Sequence, residues 1–112
     1  MSNKTLAPLL KRACFGFIVC AHNVDKTIPK RVVQELLDRH LNNDWGEIDD
    51  YDTQLNADAV KACHEDNSAH GRIVSSYTCP VTGQKVGIIT YLQHEDDKQR
   101  DQNYCSTVVY LS

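Results

Sequence analysis

The chain has 112 residues, enough for one domain whose hydrophobic core needs no disulfide support. Its net charge of −3, with lysines and arginines scattered along it, argues against a free-standing nucleic-acid binder, and it is too small for a nucleic-acid mimic. Five cysteines, an odd count with no signal-like segment before them, and no apolar run of the about 18 residues a membrane span needs, give the expectation of a reduced cytoplasmic protein without membrane contact.

In chain order, "NKTLAPLL" reads as irregular or a short helix. "ACFGFIVCAH" follows, with Phe15, Phe17 and Val19 alternating with Gly16, Ile18 and Cys20. Both faces are apolar, so the segment predicts a central strand covered on both sides. "NVDKT" reads as a turn or loop. "IPKRVVQELLDRHLNN" is the clearest helix, with Pro29 in its first turn, Thr27 as a cap, and Asn42 and Asn43 at its end. Val32, Val33, Leu36, Leu37, His40 and Leu41 form its stripe.

"DWGEIDDYDTQLNADAV" then places six acids around the one tryptophan. Asp49 or Asp50 caps a second helix over about 49–64, and Asp52 adds negative charge where the helix dipole favours it. Ile48, Tyr51 or Asp52, Leu55, Ala59 and Cys63 recur at helical spacing, and Trp45 reads as a plug against the core. "HEDNSAHG" is a loop. "RIVSSYTC", "KVGIITYL" and "YCSTVVYLS" read as strands, with "PVTGQ" as a hairpin turn and "QHEDDKQRDQN" as a charged hairpin loop. The predicted fold is α+β: one domain over 1–112, an antiparallel sheet of about four strands in chain order β-α-α-β-β-β, with two helices packed on it.

Three pieces quoted together, "HLNNDWGEIDDYDTQLNADAV", "GRIVSSY" and "GIITY…STVVYLS", carry a resemblance. The pattern is His40-Leu41, Trp45-Gly46, Asp52 with Asn56 four residues on, Gly71-Arg72, Ser75 or Ser76, Tyr77, the pair Ile89-Thr90, and Thr107. It resembles a family of small, uncharacterised bacterial proteins encoded on plasmids and integrative elements, the plasmid-related proteins. The likeness spans about residues 36–111. The chain departs from the family in a longer, more charged 93–103 segment, in lacking a closing Glu-Tyr, and in its first thirty residues. The resemblance implies residence on a mobile genetic element and no particular chemistry.

The chemistry-bearing residues rank as follows. Asp50, Asp52 and Gln54 alternate like cation ligands, but no glycine follows and helical entry would splay them, so a capped helix is the simpler reading. Zinc needs close cysteine pairs, whereas Cys14 and Cys20 lie six apart and "CHEDNSAH" offers Cys63, His64 and His70 without a second pair. No glycine-rich phosphate loop exists. No metal or other cofactor is implied, and no catalytic residue is assigned. Asp52 and Asn56 share a helix face, and Arg72 opens the next strand. Trp45, Asp52, Asn56, Arg72 and Tyr77 are therefore the candidate binding residues, set against a purely structural network tying helix to sheet.

The leading expectation is a small non-enzymatic protein-interaction factor on a mobile element, modulating host defence or plasmid maintenance. Its partner would be a protein, with a homodimer formed through the sheet, because the strands show more apolar faces than two helices cover. One alternative is a ligand-binding domain or enzyme using Asp52, Asn56, Arg72 and Tyr77. The other is a nucleic-acid-associated regulator, supported only by Lys11-Arg12 and Lys30-Arg31.

Overall fold

The α+β architecture is present as a mixed sheet with its helices on one side. The computed structural model describes residues 17–65, 70–97, 100–103 and 106–112, and the side chains of these except 17, 63–65, 70, 93–97 and 100–103. The readings made on Cys14, Cys105, the start of the first strand, the N-terminal segment and most of the "HEDNSAHG" loop lie outside the described residues.

The elements are β1 (Phe17–Cys20), α1 (Val24–Thr27), α2 (Lys30–Leu41), α3 (Asp50–Glu65), β2 (His70–Thr78), β3 (Lys85–Asp97), β4 (Arg100–Asn103) and β5 (Ser106–Leu111). The sheet order is β1-β5-β3-β2. The three C-terminal strands pair antiparallel, but β1 lies parallel to β5, so the sheet is mixed rather than antiparallel. Among the described residues β1 is also an edge strand. Ile18 and Val19 are 52% and 51% exposed, so the doubly apolar pattern there does not mark a covered central strand.

Further expectations are refined or corrected. "NVDKT" is one helical turn, closed by the Ile28 amide donating to the Val24 carbonyl, so Thr27 ends α1 and caps nothing. Pro29 takes the cap position of α2; having no amide of its own, it needs no acceptor there, and its carbonyl receives the Val32 and Val33 amides. The charged hairpin expected over 93–103 is strand-paired rather than looped on its flanks: β3 runs on to Asp97 and pairs with β4 from His94↔Asn103 to Asp97↔Arg100. The paired stretches, "HEDD" and "RDQN", are polar throughout, so apolar alternation was not available to announce them.

The C-terminus of α2 follows from its asparagines. Asn43 adopts φ +64°, which asparagine tolerates, and the Asp44 and Asn43 amides turn back to the Arg39 and His40 carbonyls. At α3 the cap is Asp49, whose carboxylate accepts the Asp52 amide at 2.8 Å. The buried side of α3 is not the predicted stripe. Leu55 and Tyr51 are exposed, while Asn56 and Val60 are buried.

Alternation along the strands defines two sheet faces. Ile73, Ser75, Tyr77, Val86, Ile88, Thr90, Leu92, Thr107 and Val109 point to the helices and are buried. One apolar cluster joins Val24, Ile28, Val32, Val33 and Leu36 to Tyr77, Cys79, Val86, Ile88 and Val109. A second joins Trp45 and Val60 to Ile73 and Leu92. Helices α2 and α3 thus sit on the same face, and none of the described helices covers the other.

Candidate functional site

Between the two apolar clusters runs a buried polar seam. His40, near the end of α2, sets its Nδ1 2.6 Å from Ser75 Oγ and its Nε2 2.9 Å from Thr90 Oγ1. Thr90 Oγ1 lies 2.8 Å from Thr107 Oγ1, and the Ser75 hydroxyl donates to the Ile88 carbonyl at 3.4 Å. A neutral imidazole has one donor and one acceptor, matching a hydroxyl on each side. Burial holds the imidazole down to about 4, so it is uncharged near neutral pH. A histidine beside a serine hydroxyl has the makings of a nucleophile and its base. Here His40, Ser75, Thr90 and Thr107 are each at most 1% exposed, so the seam has no face toward a substrate. Its work is to fix how α2 lies over β2, β3 and β5.

The second concentration of polar residues lies along the free edge of β2. The carboxylate of Asp44 takes a two-pronged bond from Arg39, at 2.7 Å and 3.2 Å, and that bond holds it below the usual carboxylate range. The Arg39 guanidinium stacks 4.8 Å from the centre of the Tyr77 ring. The Tyr77 hydroxyl donates to the Asp44 carbonyl at 2.7 Å; burial pushes that hydroxyl up to about 12, which keeps it a donor. The next residues pair with the strand itself: the Ser76 amide donates to the Trp45 carbonyl, and the Glu47 amide to the Ser76 carbonyl at 2.7 Å. Gly46 makes this approach possible. Its φ is +73°, and a Cβ there would lie 2.2 Å from the Ser76 oxygen and 2.6 Å from the Tyr77 ring.

One residue pair further along the edge, Asn56 completes the closure. Its Nδ2 donates to the Val74 carbonyl at 2.7 Å, and its Oδ1 accepts the Val74 amide at 3.0 Å. One side-chain amide therefore does what a neighbouring strand would do. This also explains the rotation of α3: the helix turns Asn56 toward β2, and Leu55 is carried outward.

The structure brings Trp45, Asn56 and Tyr77 to this edge, all three engaged in holding it. Trp45 packs in the second apolar cluster, with its Nε1 buried and lacking a hydrogen-bond partner among the described residues. Asp52 lies one turn before Asn56, and its amide completes the helix cap. Arg72 is exposed, on the face opposite the helices. Asp52 and Arg72 form no ion pair with each other; those among the described residues are Arg39–Asp44 and Lys85–Glu47. Of the residues that carry the family resemblance, His40, Gly46, Asn56, Ser75, Tyr77, Thr90 and Thr107 all fall in the seam or the edge closure. Sequence reading singled out Asn56 and Tyr77 but left Ser75, Thr90 and Thr107 without a role; hydroxyls alternating inward on three apolar strands, with a histidine on the helix stripe, were the available signal.

Cys79 is a possible nucleophile by type. Burial raises its thiol, but the Thr82 hydroxyl and amide, the Val81 amide and the Arg31 charge outweigh that and leave it below its usual value. It is nonetheless 1% exposed, in the first apolar cluster. Among the described residues no three His, Cys, Asp or Glu side chains stand close enough to hold a metal ion, and no helix is long and apolar enough to cross a membrane.

Among the described residues, what remains open is the sheet face away from the helices. Val19, Val108, Ile89 and Val74 form one row across all four strands, in register. Val19 is exposed and the other three partly so. Tyr91, beside Arg72, flanks the row on one side. Tyr110 flanks it on the other, its ring laid over Gly87, where a Cβ would lie 2.3 Å from Tyr110 Cζ. No outer-face position from Arg72 to Thr78, Lys85 to Tyr91 or Ser106 to Tyr110 is acidic. Glu47 reaches the rim, bonded to Lys85 at 2.6 Å and to the Thr78 hydroxyl at 2.9 Å. No protein-family model, curated protein or solved structure matches the chain.

Proposed function

We propose that this chain is a small non-enzymatic protein-interaction factor that binds through its sheet. The observation that carries the reading is the row Val19–Val108–Ile89–Val74. Four β-branched aliphatic side chains in register suit contact with protein, and the described helices leave them uncovered. The buried histidine–hydroxyl seam and the Asn56 and Tyr77 contacts support the non-enzymatic half of the reading, since each has its partners within the fold. Residence on a mobile element, with a task in host defence or plasmid maintenance, rests on the resemblance of the His-Leu, Trp-Gly and Gly-Arg-x-x-Ser-x-Tyr pieces alone.

The test is affinity capture from host cytosol with three forms of the chain: the natural sequence, Ile89→Lys on the outer face, and Glu35→Lys on the exposed side of α2. A protein retained by the first and third and lost by the second is the expected result. Capture indifferent to Ile89→Lys, with all three forms folded by circular dichroism, would sink the reading.

A further inference from the structure

The two edges of the sheet are treated differently. β2 is closed by Asn56 and by the main chain of Trp45 to Glu47. β1 pairs with β5 and, among the described residues, with nothing on its other side. The Ala21 amide donates to the Val109 carbonyl at 2.7 Å. Backbone groups alternate along a strand, so Val19 also faces β5, and the amides and carbonyls of Ile18 and Cys20 point away from it. Protected edges carry lysine, proline or a bulge. From Phe17 to Ala21 there is neither a charge nor a proline, and Ile18, Val19 and Cys20 are exposed on both faces.

We infer that this edge takes a strand, and that the strand is β1 of a second copy. The inference rests on the reading of the sheet as an interaction surface and names its first partner. Two features select a second copy. The outward-facing groups, at Ile18 and Cys20, are symmetric about Val19, so an antiparallel pair centred on Val19 satisfies all four by setting Ile18 opposite Cys20 of the other copy, twice. An uncharged strand also meets itself without repulsion. Antiparallel pairing about a two-fold axis normal to the sheet keeps both sets of helices on one side. It brings the two Val19 side chains together on the outer face, joining the aliphatic row of each copy into one.

Mass measurement in solution over a range of concentrations, on the full chain and two variants, tests this. The natural chain should show twice its own mass at tens of micromolar. Ile18→Pro should run at the single mass: the amide it removes faces away from β5, so the β1–β5 ladder stays whole and circular dichroism unchanged. Val19→Cys in a Cys20→Ser background should give a disulfide-linked dimer under mild oxidation, where Cys20→Ser alone does not, because facing residues at such a position lie about 4.5 Å apart, within disulfide reach. A natural chain that is monomeric at every concentration overturns the inference, as does a dimer that ignores Ile18→Pro and fails to cross-link at Val19→Cys. Either result leaves the Ile89→Lys capture experiment intact, so the two readings fail separately.

Discussion

Lowering the pH should expose what the His40 seam contributes. Free histidine titrates near 6.5, and burial takes His40 to about 4. Between those values the unfolded chain binds a proton that the folded chain refuses. Stability from this group is therefore complete above 6.5, declines as pH falls through the window, and levels off below about 4. Each pH unit of separation is worth about 1.4 kcal/mol, so the whole window amounts to about 3 kcal/mol and the part lost by pH 5 to about 2 kcal/mol. For a domain of this size that moves a urea midpoint down by on the order of 1 M. Asp44 and Glu47, whose carboxyls are held low by Arg39 and by Lys85 with Thr78, add their own losses only nearer pH 4, below most of this window. Urea titrations at pH 7, 6, 5.5 and 5 read the effect, with His40→Gln as control. Glutamine offers one donor and one acceptor side without taking up a proton, so the variant starts less stable and stays flat. A natural chain equally stable at pH 7 and pH 5, or a glutamine variant with the same slope, would refute the assignment of the pH dependence to this imidazole.

The remaining predictions concern the closure of β2. Asn56→Leu strips both partners from the Val74 backbone, and should lower stability by about 2–3 kcal/mol while making the Val74 amide exchange with solvent far faster in hydrogen-exchange NMR. Gly46→Ala forces a Cβ into the Ser76 carbonyl and the Tyr77 ring at a left-handed φ, and should cost at least about 2 kcal/mol in thermal or urea unfolding. Tyr77→Phe keeps the ring under Arg39 but leaves the Asp44 carbonyl unpaired; a loss of about 1 kcal/mol, seen as a fall in Tm of about 4–8 °C, is expected.

Much of the fold was legible because its signals are local. The stripe of α2, the paired asparagines that turn its end, the acid that caps α3 and the Pro80–Gly83 hairpin each announce themselves within a few residues. What was misread depends on distant partners. An apolar strand gives the same pattern whether it lies in the middle of a sheet or at an edge waiting for another chain, so the exposure of Ile18 and Val19 was not written in their neighbours. Asn56 was noticed as polar on a helix face, yet its target is the backbone of Val74, which has no sequence signature. The ribbon from His94 to Asn103 is held by its own ladder, which leaves composition uninformative. His40 lay on an apolar stripe and read as a packing residue; its hydroxyl partners Ser75 and Thr90 sit 35 and 50 positions away along the chain and meet it only once the sheet has formed.

The asymmetry of the two edges bears on what assembly this sheet permits. A sheet open on both sides adds copies without limit, because each added strand presents a fresh edge. Here Asn56 occupies Val74 and Trp45 and Glu47 occupy Ser76 on the β2 side, so the proposed pairing through β1 would end at two copies. The closure that looks like a binding constellation in sequence would then have a second use beyond folding, since it would turn an open-ended association into a closed one. Asn56→Leu sharpens the point, because it frees the Val74 backbone on that edge, with Ser76 still held by Trp45 and Glu47, and does not touch β1. Such a chain should still form the Val19-centred pair and, at raised concentration, go on to larger species seen by light scattering. Ile18→Pro combined with Asn56→Leu should cut those species back to at most a pair. Unbounded growth in the double variant would mean that the copies meet somewhere other than the two sheet edges.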